Sequence, residues 1–290
     1  MKVSFPSHGQ TLVGDLHLPA DKPFVAAVLI GPLTSVKEQA TGNYAAALAE
    51  RGWAALSFDP RYFGESSGEP RQYENPRAKI DDVRAAVDYL KAHSGFGTEH
   101  VVGVGVCAGG GYMAGAVAEE PRFAAFGAVA GFFHDAAKQR EWSGVGYEAA
   151  LEKARLARER WTRSGVVDTI PAVGTTGEVA MPMAEAYEYY GTERGGQLGH
   201  YVNAFAVMSR EHTLPYDAQG AADSIAVPTT VVHSDKALAP ALARSFFDRL
   251  TVSKHLEWLE SQGQIDFYDD PRLIALACDA LDRTFREQLG

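Results

Sequence analysis

The stretch Gly105-Val106-Cys107-Ala108-Gly109, followed by Gly110-Gly111-Tyr112, sets a thiol between two glycines, each two residues away. Gly-x-Cys-x-Gly has the form of a nucleophile elbow, with Cys where Ser is more usual. A nucleophile carried on a strained turn between a strand and a helix leaves no room for side chains on either flank, so glycine is wanted at both. A helix starting beneath the sulfur directs the positive end of its dipole at it, which favours thiolate over thiol. The Ala108 N–H is then placed to bind a developing oxyanion. A second donor is expected from the loop after an earlier buried strand, at Leu33 in Gly31-Pro32-Leu33-Thr34. Such a group attacks a carbonyl carbon and stabilises the charge that forms on its oxygen. The motif by itself is weak in a chain with 29 glycines, and a buried Cys is often only a small hydrophobe. What favours the nucleophile is context: a strand before it and a helix after it. Cys278 lies among Leu276, Ala277 and Leu281 in an amphipathic stretch and reads as core.

The elements that carry this turn alternate along the first 135 residues. Thr11 to Leu18 alternates apolar and polar residues, as a half-buried strand does. Val25 to Ile30 and Val101 to Val106 are continuous apolar runs, as buried parallel strands are. Trp53 to Phe58 and Ala124 to Ala130 read as two more strands, and Ala40 to Arg51 as a helix stopped by Gly52. Ile80, Val83, Val87 and Leu90 form a helical stripe within Ala78 to His93. This order predicts an α/β fold with a mostly parallel central sheet and helices on both faces. From His134 to Asp223 the pattern breaks. A charged helix, Tyr147 to Arg163, precedes a Gly- and Pro-containing loop and a segment rich in Met and Tyr, and no clear buried strand is expected. Residues 134–223 are therefore expected to form a helical cap subdomain inserted into a core of residues 1–133 and 224–290. The core resumes with a strand at Thr229 to His233, a helix from Ala239 to Leu250, a short strand at His255 to Leu259 and a last helix from Pro271 to Gln288.

The 290 residues carry 27 Lys+Arg against 37 Asp+Glu, a formal charge of −10. So acidic a chain lacks the basic footprint of a nucleic-acid binder and suits an anionic membrane surface no better. No apolar run approaches the ~18 residues of a membrane-spanning helix, and the start, Met1 to Pro6, turns polar at once, with no signal-peptide core. Two cysteines make no disulfide scaffold. A cytoplasmic enzyme acting on a small molecule is expected, with a homodimer allowed.

Several stretches resemble a bacterial α/β-hydrolase family related to dienelactone hydrolase. They are residues 32–39 (PLTSVKEQ), 58–66 (FDPRYFGES) and 105–110 (GVCAGG) in the first half. In the second half they are 187–191 (YEYYG), 203–209 (NAFAVMS), 233–238 (HSDKAL) and 265–269 (IDFYD). The resemblance implies an α/β-hydrolase fold and an ester, lactone or thioester substrate, with a Cys or Ser nucleophile, an acidic residue and a histidine. In that chain order the acid falls on Asp235, just after a late strand; an Asp in a loop is also a common turn residue. The histidine position, before residues 265–269, holds Gln264. An amide both donates and accepts hydrogen bonds but takes up no proton near neutral pH.

Three explanations stay open. Another group replaces the base: His233 beside Asp235, His200 or His212 from the cap, or Glu38 near the Leu33 loop, where dienelactone hydrolase-like enzymes use a glutamate. Alternatively, the scaffold does non-hydrolytic work such as acyl transfer, cyclisation or C–C bond formation or cleavage, with Gln264 positioning the substrate. Or Gln264 was introduced to trap an inactive enzyme, although nothing else looks engineered. A catalytically dead binding protein is a further alternative, against which the intact turn argues.

Other residues are candidates for binding substrate. Arg61 and Tyr62 follow the Trp53–Phe58 strand, at the sheet edge where open α/β folds bind ligands; the competing reading pairs Arg61 with Asp59 or Glu65. Phe132 and Trp142, just past a strand end, suit a pocket wall, together with Phe133. Tyr187, Tyr189, Tyr190 and Met183 suit an apolar lining or, at helical spacing, core. Asp266, Asp269 and Asp270 lack His or Cys support, so no metal is expected. Gly103-x-Gly105 lacks the spacing of a dinucleotide fingerprint, so no cofactor is expected either.

Overall fold

The computed structural model describes residues 1–93 and 100–290. Its strands are β1 (Lys2–Ser7), β2 (Gln10–His17), β3 (Val25–Ile30), β4 (Trp53–Asp59), β5 (Val101–Val106), β6 (Phe123–Val129), β7 (Thr169–Ile170), β8 (Phe205–Ala206), β9 (Thr229–His233) and β10 (Lys254–Trp258). Its helices are α1 (Ala40–Ala49), α2 (Pro76–Ala92), α3 (Ala108–Glu119), α4 (Ala136–Ser143), α5 (Gly146–Ser164), α6 (Ala184–Tyr190), α7 (Arg210–Thr213), α8 (Pro240–Arg249), α9 (Asp266–Asp269) and α10 (Pro271–Leu289).

Eight strands form one sheet in the order β1-β2-β4-β3-β5-β6-β9-β10. The six strands from β4 to β10 in that order run parallel, and β1 and β2 close one edge antiparallel. The central strands β3, β4 and β5 are buried at every position, as strands covered by helices on both faces are. The helices start where their sequences direct. Asn75 caps α2 by accepting from the Ala78 N–H, with Pro76 in the first turn, and Asp270 caps α10 in the same way ahead of Pro271. Parallel pairing brings the loops after β3, β5, β6 and β9 to one edge, the strands' carboxyl ends.

Two features depart from the expectations. Lys2 to Ser7 is a strand, with Val3 and Phe5 turned inward; its alternation is short and interrupted by Pro6, which an edge strand tolerates. Between residues 134 and 223, where no clear buried strand is expected, β7 and β8 pair antiparallel. With two residues each they are too short to show a period. The rest of that segment is α4, α5, α6 and α7, with 3-10 turns at Val207–Ser209 and Gln219–Asp223. Among the described residues no helix is long and apolar enough to cross a membrane.

Candidate active site

Cys107 stands between β5 and α3 with φ 55° and ψ −124°, a left-handed backbone that an L-residue adopts only under constraint. The constraint is hydrogen-bonded on both sides. The Cys107 N–H donates to Val129 O at 3.1 Å, and the Cys107 carbonyl accepts from Gly110 N (2.8 Å) and Phe132 N (2.7 Å). Both flanking glycines are required by packing. A Cβ at Gly105 would lie 2.3 Å from the Gly109 carbonyl oxygen, and one at Gly109 would lie 2.2 Å from that of Ile30. These are backbone atoms, which cannot swing away. Alanine ordinarily improves a helix interior over glycine by ~0.5–1 kcal/mol, so the sign at Gly109 is diagnostic. Gly109→Ala is expected to lower stability by roughly 1–3 kcal/mol, read as a lower urea midpoint; an unchanged or raised midpoint would contradict this packing.

The sulfur is almost covered, at 7% exposure for the residue. Burial pushes the Cys107 thiol above its ordinary pKa, and the Glu185 charge adds to this. Hydrogen bonds from the Tyr268 hydroxyl, the Ala108 N–H and the Gln264 side chain oppose the shift without cancelling it. Whatever the α3 dipole contributes towards thiolate, desolvation outweighs it, and the raised pKa keeps the group a thiol at neutral pH. Gln264 is fully buried and fixed at both ends. Its Oε1 accepts from Leu238 N at 2.8 Å, and its Nε2 donates to Ala130 O at 3.0 Å. The loops after β6 and β9 therefore clamp the amide beside the sulfur. The groups that hold the thiol's pKa down are a phenol, a backbone N–H and an amide side chain, and the carboxylate that acts on it, Glu185, pushes it up.

Leu33 lines the same cavity, and among the described residues its N–H meets no protein acceptor. The next residue anchors the loop. Thr34, at φ 59°, donates its N–H to Glu74 Oε2 at 3.1 Å. Glu74 is buried, ion-paired to Lys79 at 2.6 Å, and accepts from the Tyr112 hydroxyl at 2.9 Å. Two backbone donors, Leu33 and Ala108, thus border the space in front of the thiol.

That space is a cavity of about 310 Å³. Phe132, Trp142, Met183 and Tyr190 line it with Leu33, Cys107, Ala108 and Tyr268, and much of the wall comes from residues 139–214. Tyr187 and Tyr189 do not line it. Tyr189 is buried against Tyr190 and Tyr268, and Tyr187 packs toward Gly191.

Other expected residues are drawn elsewhere by stronger partners. Asp235 is not brought to Gln264 or the thiol; its carboxylate is 77% exposed and paired with Arg244 at 3.2 Å. Glu38 pairs with the buried Lys37 ammonium at 2.5 Å, which also holds Asp59 and Glu65. Arg61 is buried against Asp82 at 2.7 Å, not against Asp59 or Glu65. Tyr62 packs on Tyr73. His200 is exposed and lies beside Glu38 and Glu65; these three could ligate a cation, but both carboxylates are already ion-paired, Glu38 with Lys37 and Glu65 with Lys37 and Lys2. His233 bonds the Ser234 carbonyl through Nδ1 at 2.9 Å and stacks on Trp258. His212 stands edge-on to Tyr73.

Sequence reasoning did not single out Tyr268, His134 or Arg210. Tyr268 sat within a recognised stretch, and its distance from Gln264, one helical turn, was the available signal. His134 lines the cavity, sandwiched by Tyr112, Phe132 and Tyr216. Burial, and then the Lys79 charge, bring it down to about 3. It is a neutral ring and a poor proton acceptor at neutral pH.

A parallel sheet whose carboxyl edge presents a glycine-flanked strand-to-helix turn, with backbone amides bordering a cavity beside it, defines an enzyme of the α/β-hydrolase fold. The chain belongs to the Hydrolase_4 family (serine aminopeptidase, S33), whose family model matches residues 36–262. It is 30% identical over 277 residues to YcjY of Escherichia coli strain K12, covering 92% of this chain and 90% of that one. It is similar to PA2218 of Pseudomonas aeruginosa, 29% identical over 303 residues with 99% and 80% coverage. The crystal structure of PA2218 superposes with a TM-score of 0.85 at 28% identity, covering 99% of this chain and 93% of that one. The polyketide transferase GrgF of Penicillium is 31% identical over 122 residues, 42% of this chain and 41% of that one. Its structure, at 23% identity, has a TM-score of 0.81 with 98% of each chain covered.

Proposed function

We propose that this enzyme acylates Cys107 with an ester, lactone or thioester and passes the acyl group to a substrate nucleophile other than water. The observation that carries this reading is Gln264, an amide clamped beside the thiol where a hydrolase needs a base. The substrate carbonyl lies over Cys107 with its oxygen toward the Ala108 and Leu33 N–H groups, the preorganised donors that acyl transfer requires. The sulfur adds to the carbonyl carbon, and the leaving group departs with the proton that the thiol gives up. For a thioester the exchange consumes one thiol and releases another, so no group needs to keep the proton. The Tyr268 hydroxyl, in contact with Sγ, hands its proton on while taking the thiol's. A thiol or amine then attacks the acyl-enzyme, and its proton returns to the sulfur.

A hydroxyl acceptor, water above all because it is always present, is penalised most by a missing base, because it must lose a tightly held proton as it attacks, whereas a thiol ionises far more readily near neutral pH. General-base help is worth roughly 10²- to 10⁴-fold. Residues 134–223 act as a cap in this reading, screening the acyl-enzyme from solvent. The similarity to a polyketide transferase supports transfer; the hydrolase family match favours the competing reading, in which water is the physiological acceptor and the enzyme is an esterase or lactonase of dienelactone hydrolase type.

Partition separates the two. Wild-type enzyme given a butyryl thioester of N-acetylcysteamine is expected to gain a single butyryl adduct on Cys107, seen by intact mass. Added thiol is expected to discharge it much faster than buffer alone. Discharge that is insensitive to acceptor concentration makes the enzyme a hydrolase. No adduct at all removes covalent catalysis.

A further inference from the structure

Arg210 is the one charged side chain among the described residues that line the cavity, apart from the neutral His134. The other described residues of the cavity wall are apolar or neutral hydrogen-bonding groups, so Arg210 is the feature of that wall suited to a charged ligand group. It lies at the start of α7, in the part of the wall shared with Thr213 and Leu214, and its side chain is only 15% exposed. Its one ion-pair partner, Glu178, is shared: Glu178 also pairs with Lys153. Two cations therefore stand on one carboxylate, leaving net positive charge at this wall in a chain whose formal charge is −10. A guanidinium has five N–H donors. The Glu178 bond uses Nη1, and the structure gives the remaining donors no protein acceptor among the described residues.

We infer that the cavity binds an acyl substrate carrying a carboxylate remote from the reacting carbonyl, and that Arg210 receives that carboxylate. The apolar wall of Phe132, Trp142, Met181, Met183 and Phe205 takes the carbon chain between them. The volume of about 310 Å³ is at the small end of ligand sites, which limits the chain to a short one. Arg210 selects the substrate in this arrangement and takes no part in bond making. The inference rests on the proposed Cys107 chemistry only for which end of the substrate reacts.

The test compares mono-4-nitrophenyl esters of succinate, adipate and suberate with 4-nitrophenyl butyrate, hexanoate and octanoate. For wild type, kcat/KM is expected to favour the acid over its neutral partner at one chain length, because the guanidinium stands at a fixed distance from the sulfur. Arg210→Gln is expected to reduce that ratio about tenfold, the scale of one charge-assisted hydrogen bond, mainly through KM. Arg210→Lys is expected to keep part of it. Glu178→Gln, which removes the competing anion at an exposed site, is expected to keep or raise it. A wild-type ratio near or below one at every length, or the same ratio in Arg210→Gln, overturns the assignment. A readout independent of turnover separates this from a failure of the thiol chemistry. Adipate itself is expected to raise the melting temperature of wild type and of Cys107→Ala, and not that of Arg210→Gln. Stabilisation that Arg210→Gln retains rejects the assignment, whatever Cys107 does.

Discussion

Cys107→Ala is expected to cut acyl transfer from an activated ester or thioester by roughly 10³-fold or more, the scale on which removing a covalent nucleophile acts. The fold should survive. Alanine at φ 55° is no more strained than cysteine, and the lost sulfur leaves a small cavity costing on the order of 1 kcal/mol. The oxyanion donors remain, so a residual rate above background is expected, but without an acyl adduct. Cys107→Ser is expected to be nearly as inactive. A serine hydroxyl needs a base to attack, and Gln264 is not one; a thiol reaches the same step through the small fraction ionised at neutral pH.

The pH dependence follows from the same burial. The reactive form is the thiolate, and the folded-state pKa is raised, so acylation should climb with pH through neutrality. It should level off only above the ordinary thiol value of about 8.5. The stability linkage has the matching sign: a thiol whose pKa is raised by folding favours the folded state while protonated, and that contribution fades as pH rises from the unfolded value through the folded one. A rate plateau already reached near pH 6 would show a thiolate made by a neighbouring cation and would contradict the site described above.

The parts of this enzyme most legible in its sequence are those set by local rules. Val25–Ile30 and Val101–Val106 coincide with β3 and β5 end to end, because a run of buried residues between turn signals has few other conformations. Gly105 and Gly109 announced the turn because backbone contact excludes every other residue type there. Burial was not legible. The dipole of α3 can be read from the sequence, but part of the cover over the sulfur comes from Gln264 and Tyr268, more than 150 residues away, and that cover helps decide the thiol's charge state. Charge partners were missed for the same reason. Glu38 goes to Lys37 because a buried ammonium must be neutralised, and nothing in the spacing says that Lys37 is buried. Among the tyrosines of α6, one step along the helix turns a side chain by 100°. Tyr190 faces the cavity and Tyr189 the core, a difference set by how α6 packs against α9. Asp235 follows β9 as the order rule required, but the chain turns its carboxylate outward to Arg244.

Gln264→His is expected to turn the enzyme toward hydrolysis, raising discharge of the acyl-enzyme by water about 10²-fold, the low end of general-base catalysis. The tautomer decides the outcome. Gln264 Nε2 donates to Ala130 O, and Oε1 accepts from Leu238 N. An imidazole that donates from Nδ1 to the Ala130 carbonyl keeps the first bond and leaves Nε2 unprotonated toward the thiol, as a base must be. The second bond is lost, and a partly buried Leu238 N–H without a partner costs about 1 kcal/mol, the low end for a lost partner, so a lower melting temperature should accompany the new activity. No carboxylate stands behind the ring, since Asp235 is held by Arg244 at the surface; hence the low end of the range. Transfer to an added thiol should gain much less, because a thiol ionises without a base far more readily than water does. Gln264→Leu separates chemistry from packing: it also breaks the clamp, by removing both bonds, but brings no base. If the histidine variant folds and hydrolysis rises no more than in Gln264→Leu, proton abstraction is not what restrains water here, and the amide beside Cys107 loses its place in the argument for transfer.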